Sequence, residues 1–278
     1  NANNAAISCG SGVIYRRSSL DTIGGFPTWN MVEDLYTSYK LHCAGFKTLY
    51  VNKIYTKGTA PLDLADIYKQ RRTWGLDTMR LFVKDNPLFK RSLSWRQKLH
   101  YSELAVTYAI SAVCIPLLFL MPAVSLLFGW QAVTDIYGYS AFRVPSLIML
   151  LIFYYYVCGK TFVAGQFWAG LFPAYFIGLV LAIVPGKPAY KVTSKVSGGG
   201  RHLRQIIPHL VLVFFSFGSV LWYVLSNGWN SIVLFTFVIQ FLMVFWLYPI
   251  IMRGLFGVPK LRVETEPEKL GVVATQRN

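Results

Sequence analysis

Acidic residues are nearly absent from the middle of this chain. Asp135 is the only carboxylate between Glu103 and Glu264. General acid–base catalysis needs ionisable side chains, so we expect any such chemistry within the first ~100 residues. The whole chain still has a net charge of +15. A basic excess of this size favours nucleic acid, an anionic membrane face or phosphorylated substrates as partners.

Other common functional patterns are also missing. The sequence contains no GxGxxG, P-loop or DxD motif. Its first six residues are polar and uncharged, unlike a signal peptide, and position 1 is Asn rather than Met. The chain is therefore expected to be a piece of a longer polypeptide. Four cysteines follow neither CxxC nor Cys/His ligand spacing, so we expect no zinc site and no disulfide framework; they are Cys9, Cys43, Cys114 and Cys158.

Long apolar segments are what the sequence has instead. Charged residues make up only 14% of the chain, against about a quarter in a typical soluble domain. A helix needs roughly 20 apolar residues to cross the hydrocarbon core of a bilayer. Four segments are long and apolar enough, and they run near 105–128, 144–165, 206–226 and 231–252.

Basic segments between the predicted spans indicate how the chain is oriented. Lys and Arg concentrate at 84–100, at 187–205 and after position 252. All three lie on the cytoplasmic side only if an even number of spans separates them. We therefore predict that the apolar stretch 166–184 is an interfacial or re-entrant helix. A fifth true span, with the 187–205 segment outside, is the alternative.

The residues ahead of the first span have the pattern of a small α/β fragment. Short strands are predicted in the stretch that begins at Gly12 and at 47–52. Helical patterns end at glycine stops or continue toward the membrane; they begin near Ser18, near Val32, at 62 and at 94–103, the last as a basic helix along the membrane surface. The predicted fold is an α-helical membrane protein with four transmembrane helices, amphipathic interface helices and a cytoplasmic α/β part.

The sequence Val32-Glu33-Asp34 stands at a predicted helix N-terminus. The helix dipole keeps carboxylates ionised there. Asp34 is therefore a candidate general base for a hydroxyl brought within ~3 Å. Simple capping of the helix is the alternative interpretation.

The sequence QRRTW, residues 70–74, places an indole within a basic helix. Gln70, Trp74 and Asp77 share one face of that helix, whereas Arg71 and Arg72 point elsewhere. An indole offers a flat surface for a sugar ring, and a guanidinium suits a diphosphate. An interfacial basic–aromatic anchor would have the same composition.

The glycine-rich loop at 188–202 alternates Lys191, Thr193 and Lys195, which face one side if the loop is extended. Such a loop can close over a phosphate. A flexible cytoplasmic loop that merely follows the charge rule is the alternative.

These segments, in this order, resemble the membrane-embedded, processive family-2 glycosyltransferases, and most of all bacterial cellulose synthase catalytic subunits. The likeness rests on SCGS and VED within residues 8–52, then QRRTW, NPLFKRSL, and four spans divided by YKVTSK. It extends to about residue 262. Hyaluronan and chitin synthases are more distant relatives.

The resemblance implies a role for each motif residue. Asp34 matches the catalytic base, and Trp74 the platform under the acceptor sugar at the channel mouth. Glu33 and the loop Cys9, Gly10 and Ser11 belong to the acceptor side. Donor and diphosphate binding is expected from the QRRTW helix and a gating loop, at Gln70, Arg71, Arg72, Tyr190, Val192, Thr193 and Lys195. One departure is Thr73, which stands where the family has the motif arginine.

The resemblance also implies a domain plan. The catalytic part would be the C-terminal part of a cytoplasmic α/β GT-A domain, with its donor half ahead of residue 1. The expected segments are the GT-A part (1–61), interface helices (62–104), a transmembrane pair (105–165), an interface helix with the gating loop (166–205), a second pair (206–252) and a cytoplasmic tail (253–278).

Partners and cofactors follow from the same resemblance. Mg²⁺ or Mn²⁺ is expected, with its ligands in the donor half and none in this chain. The expected partners are a UDP-sugar, the growing polysaccharide, the lipid bilayer and the N-terminal half of the enzyme, without nucleic acid. The location would be a plasma or inner membrane, with the catalytic face and the tail cytoplasmic.

Several activities remain open at this point. The favoured one is inverting, processive synthesis of a β-glucan from UDP-glucose, with β-1,4, β-1,3 or mixed linkage. A nonprocessive transferase acting on a lipid acceptor, or a synthase of hyaluronan or chitin, is the alternative. Ion-coupled transport is disfavoured because the spans lack carboxylates.

Overall fold

The computed structural model describes residues 1–58, 60–130, 135–186 and 200–257. In these ranges the chain is helical, with a short 3-10 turn at Pro87–Phe89. The helices are α1 (Arg17–Thr22), α2 (Glu33–Cys43), α3 (Leu64–Lys84), α4 (Trp95–Phe128), α5 (Ile136–Val157), α6 (Val163–Gly170), α7 (Phe172–Ile183), α8 (Leu203–Asn227) and α9 (Ser231–Phe256).

Four helices are long and apolar enough to cross a membrane, which confirms the predicted number of spans. They are Trp95–Phe128, Tyr137–Val157, Leu203–Asn227 and Ser231–Phe256. The second begins earlier than predicted because Asp135 caps helix α5, where its carboxylate accepts a hydrogen bond from the backbone N–H of Gly138 at 3.0 Å.

The ambiguous apolar stretch forms two short helices. Helices α6 and α7 meet at Leu171 and are bent by 47° relative to each other. Length and composition allow a broken span or a re-entrant loop. Helix α6 packs mainly against α9, and α7 packs mainly against α3. An interfacial or re-entrant placement of this pair stays a prediction.

Helix α4 differs from the prediction of a separate basic helix on the membrane surface. It runs without a break from Trp95 to Phe128. A capping box starts it, in which Ser94 and Gln97 exchange hydrogen bonds between side chains and backbone. The basic turn and the first apolar span are therefore one helix.

The two predicted strands are not found, since the described residues contain no strand. The segment at 47–52 is held instead by asparagine side chains from the start of the chain. Asn4 Oδ1 accepts from Thr48 N at 2.8 Å, and Asn1 Oδ1 accepts from Tyr50 N at 2.6 Å. A strand needs a neighbouring backbone, and here side-chain amides bond the segment instead.

Two apolar clusters organise the packing, and helix α3 takes part in both. The first joins α3, α4, α7, α8 and α9, and includes Leu64 and Tyr175. The second joins α2 to α3 and the start of α4 through Tyr39, Leu81 and Tyr101. Helix α3 therefore connects the membrane helices to the part that carries Asp34.

Helix α3 also corrects the prediction of an amphipathic interface helix. All seven residues from Gly75 to Leu81 are buried, including Asp77 and Arg80. This half has no exposed face because α2 and its preceding loop lie on one side and α4 and α7 on the other.

Candidate functional site

Asp34 lies in the first turn of α2, pressed against the loop that contains Cys9. A Cβ atom added to Gly10 would lie 3.0 Å from Oδ2 of Asp34. The same glycine has a φ of +79°, which favours glycine at this point of the loop. The predicted base and the predicted acceptor loop are therefore in contact. Cys9, Ser11 and Glu33 are exposed around this contact.

Partial burial changes the chemistry of Asp34. Desolvation raises the pKa of its carboxyl, and the backbone N–H of Leu35, which donates to Oδ1 at 2.7 Å, opposes this shift. The raised pKa makes the carboxylate a stronger base than an exposed aspartate.

Two serines and a tyrosine support this carboxylate and were not identified from the sequence. Ser38 Oγ donates to the carbonyl of Asp34 at 2.9 Å and accepts from the N–H of Ser8 at 2.9 Å. The phenol of Tyr15 is hydrogen-bonded to both serines, and burial raises its pKa. Ser38 stands four residues after Asp34, so helical spacing alone was a usable signal.

The N-terminus of α2 is bonded to helix α3. Val32 precedes the helix and has no side chain that can cap it. Its N–H donates to Oδ2 of Asp77, while Asn30 Nδ2 donates to the backbone carbonyl of Asp77 at 3.4 Å. One residue of the QRRTW helix thus holds the loop that leads into Glu33 and Asp34.

Trp74 remains accessible on the same helix, with 38% of its surface exposed. The guanidinium of Arg71 lies 4.8 Å from the centre of the indole ring. This corrects the prediction that Arg71 points away from Trp74. Thr73, which replaces the motif arginine, donates its hydroxyl to the Lys69 carbonyl at 2.9 Å. The positive charge near Trp74 therefore comes from a different position of the motif.

Arg72 has a different environment from Arg71. With Lys69 and Arg204 it lines a cleft of about 410 Å³ between α3, α7 and α8. The other walls of the cleft are mostly apolar and include Pro173 and Ile177. The structure thus separates the two arginines that the sequence assigned jointly to the donor diphosphate. Gln70 is half-buried on the same helix.

The predicted gating residues Tyr190, Val192, Thr193 and Lys195 lie outside the described residues. In the part of the chain that is described, no group of three or more His, Cys, Asp or Glu side chains is arranged to hold a metal ion. These residues therefore do not fit a metal site, and Mg²⁺ or Mn²⁺ bound by a donor half stays a prediction.

Comparison with known proteins gives the same family for most of this region. The family model described as cellulose synthase matches residues 6–170. This match includes the loop at Gly10, the helix of Asp34 and the QRRTW sequence.

Individual relatives match parts of the chain at modest identity. Cellulose synthase 1 of Komagataeibacter xylinus is 28% identical over 231 residues, which are 78% of this chain and 14% of that protein. A UDP-forming cellulose synthase of Dictyostelium discoideum is 36% identical in its catalytic chain over 100 residues, or 36% of this chain and 9% of the relative.

A third relative is the UDP-forming cellulose synthase catalytic subunit of Pseudomonas fluorescens (strain SBW25). It is 30% identical over 148 residues, which are 52% of this chain and 19% of the relative. The chain thus spans less than a fifth of the length of each of these three proteins. The matched family model covers more than half of the chain, and the chain belongs to the cellulose synthase family of family-2 glycosyltransferases.

Proposed function

We propose that this chain is part of an inverting, processive glycosyltransferase that builds a β-glucan from UDP-glucose and passes it across the membrane. The observation that carries this proposal is the contact between Asp34 and the loop at Gly10. It places a partly buried carboxylate of raised pKa beside an exposed loop where an acceptor can approach. The linkage is β-1,4, β-1,3 or mixed.

The proposed reaction needs one base and one good leaving group. Asp34 takes the proton of the acceptor hydroxyl, whose oxygen then attacks the anomeric carbon of the donor sugar. The bond from that carbon to the diphosphate oxygen breaks, so the anomeric configuration inverts and UDP leaves. Burial raises the pKa of Asp34 and so strengthens it as a base for this step. No step is routed through a metal ion.

Trp74 is the proposed platform for the acceptor sugar. Its ring is partly exposed and carries Arg71 over one face. An aromatic ring binds the apolar face of a sugar by stacking, and a neighbouring cation stabilises a nearby phosphate. We assign Gln70 and Arg71 to the junction of acceptor and donor. Arg72 belongs to the donor diphosphate through the basic cleft, with the gating residues of the 190–195 region closing over it.

Exposed apolar side chains support the proposal that this is the C-terminal part of a GT-A domain. Ile14 is 98% exposed, and Leu49, Val51 and Ile54 are exposed along the second extended segment. Both segments were predicted as strands. A donor half of the domain, whether in the same or a separate chain, would supply neighbouring strands that cover them.

The orientation of the chain is proposed from its charges. Basic segments flank α4 and α8, and the positive-inside rule places such segments in the cytoplasm. The catalytic face and the tail would then be cytoplasmic, in a plasma or inner membrane. The growing polysaccharide and the bilayer are the proposed partners beside the UDP-sugar.

Polymer synthesis tests the proposal directly. Membranes containing the full-length enzyme are incubated with radiolabelled UDP-sugars, and the product is sized and digested with linkage-specific glucanases. A long glucan from UDP-glucose is expected. A single glycosyl lipid would refute processive synthesis, and a polymer formed only from another UDP-sugar would refute the donor.

Removing the base gives the matching mutational test. Asp34→Asn keeps the shape of the side chain but cannot accept the proton at neutral pH, so we expect polymer synthesis to disappear while expression and membrane insertion stay normal. General-base catalysis accounts for about 10²–10⁴-fold in rate. Cys9→Ser, at the exposed position before Gly10, is the control and should retain synthesis. Substantial synthesis by Asp34→Asn would exclude Asp34 as the base.

A further inference from the structure

Asp77 is a fully buried carboxylate with no part in the proposed chemistry. It lies in α3, three residues after Trp74, and has 0% of its surface exposed. Burying a carboxylate is costly unless hydrogen bonds compensate for the lost water. The compensation in this case comes from the loop at 30–32, which is 45 or more residues away in sequence.

The bonds of Asp77 end at the residue next to the catalytic motif. The N–H of Val32 donates to Oδ2, and Val32 is followed directly by Glu33 and Asp34. Val32 has a φ of −101° and a ψ of 84°, outside the helical range, so the chain enters α2 with its last non-helical N–H fixed by this carboxylate. A charge-assisted bond of this kind is stronger and more directional than a neutral one.

The next turn of α3 holds the same loop by a second contact. The guanidinium of Arg80 lies 5.5 Å from the centre of the Trp29 ring. Trp29 in turn packs against Tyr36 of α2, with ring centres 4.9 Å apart. The loop between Trp29 and Val32 is therefore fixed to α3 at both ends.

Trp74 and Asp77 are on one face of α3 because residues three apart on a helix are neighbours. The proposed sugar platform and the bond to the base's own loop thus come from one rigid turn. We propose that Asp77 is a positioning residue that sets the place of Asp34 relative to the acceptor sugar on Trp74. This inference rests on the proposed glycosyl transfer.

A positioning role has a consequence that simple stabilisation does not have. If the base moves by ~1 Å, the acceptor hydroxyl is activated poorly, and a loss on the order of 100-fold is expected. Water is smaller and needs no platform, so it competes better for the donor sugar. More UDP is then released for each sugar that enters the polymer.

The experiment compares Asp77→Ala and Asp77→Asn with the wild-type enzyme, full-length and in membranes. For Asp77→Ala we expect kcat for polymer synthesis to fall about 100-fold per folded molecule, an unchanged KM for UDP-glucose and a raised ratio of UDP to incorporated sugar. The amide oxygen of Asp77→Asn can still accept from Val32, so this variant should recover most of kcat.

Asp85→Ala is the matched control. Asp85 ends the same helix and also bonds to α2, since its Oδ2 accepts from the Tyr36 hydroxyl at 3.0 Å, but this bond lies away from Asp34. It also pairs with Lys90 at 2.5 Å. The control should lose stability without any change in kcat or in the ratio of UDP to sugar.

The outcomes separate the inference from the function on which it rests. Wild-type kcat and product ratio in folded Asp77→Ala would overturn the positioning role while leaving the function intact, provided that Asp34→Asn is inactive. If Asp77→Ala does not fold, Asp77→Asn decides, because an unchanged UDP-to-sugar ratio together with lower stability would overturn the role. Full synthesis by Asp34→Asn would instead refute the function.

Discussion

Helix α3 makes different kinds of contact on its two sides. Toward α2, side chains span the gap, as in the bond from Val32 to Asp77 and the bond from Tyr36 to Asp85. Toward α7, the backbones themselves approach. A Cβ atom on Gly178 would lie 3.2 Å from the Arg72 carbonyl oxygen and 3.2 Å from the Leu76 nitrogen.

The difference concerns what each side fixes. Hydrogen bonds are directional, so the α2 side determines the placement of single groups such as Asp34. Close packing is not directional but tolerates little change in volume. The α7 side therefore determines how α3 as a whole lies against the membrane helices. Mutations should accordingly affect chemistry on the first side and assembly on the second.

The largest effect is expected from breaking the α7 side with Gly178→Leu. The new side chain would meet backbone atoms of α3, which cannot rotate away as a side chain can. We expect a loss of about 1–3 kcal/mol or more, with poor yield and a lower melting temperature. Thermal denaturation in detergent or nanodiscs measures it.

Gly218→Leu provides the control for that substitution. Gly218 lies within the membrane helix α8, and an added Cβ would meet nothing within 4 Å. The control should keep wild-type stability. Equal destabilisation by both variants would mean that membrane glycines in general, rather than the α3–α7 contact, are sensitive.

A medium effect is expected at Trp74, which stands just before the buried half of α3. Trp74→Ala removes the proposed sugar platform, worth about 0.5–1.5 kcal/mol for an aromatic contact. Polymer chain length and rate should fall several-fold, whereas Trp74→Phe should retain most of both. Size-exclusion analysis of the labelled product measures this.

Trp95→Ala tests whether any exposed tryptophan beside an arginine has the same effect. Trp95 is 66% exposed, and the Arg96 guanidinium lies 5.6 Å from its ring centre, but it lies in the first turn of α4. We expect wild-type chain length. A loss equal to that of Trp74→Ala would assign both residues to membrane anchoring.

The smallest effect is a pH dependence confined to the α2 side. His42 is 1% exposed, with its ring nitrogens 2.7 Å from the Tyr101 hydroxyl and 2.8 Å from the Thr48 hydroxyl. Burial lowers the pKa of His42 to about 4. The unfolded chain takes up a proton near pH 6.5 and the folded one does not, so stability is full above 6.5 and falls as the pH drops toward 4.

Hydrogen exchange at pH 7 and pH 5, corrected for intrinsic rates, measures this change. Protection of α2 should fall at pH 5 by on the order of 1 kcal/mol, while protection of α7 should not change. His42→Gln removes the titrating group and should abolish the difference. An equal loss in α7 would show that the two sides of α3 unfold together.

Local signals made much of the fold predictable from the sequence. Serine and glycine patterns indicated helices α1 and α2, and apolar length indicated four spans. The contact of Asp34 with Gly10 agrees with the motifs that suggested it. The Asn4–Thr48 bond and the Val32–Asp77 bond were not predictable, because each joins residues more than 40 positions apart through side chains.

The buried half of α3 shows why composition misleads at such a place. Asp77 and Arg80 are charged, so the sequence pattern predicted an exposed face. Their burial depends on partners in the 29–32 loop, whose position follows from tertiary packing rather than from helical periodicity. The exchange of Thr73 for the motif arginine was visible, but the placement of Arg71 over Trp74 was not.

The unbroken helix α4 makes the bilayer a mechanical input to the site. Its 34 residues form a rod about 51 Å long, whose first turns contact both the start of the chain and the core of α2. Tyr101 on this rod bonds to His42. When the rod tilts about its far end to match a thinner or thicker membrane, its first turn moves by roughly 1 Å per degree. Lipid thickness then acts as a lever on helix α2, which carries Asp34.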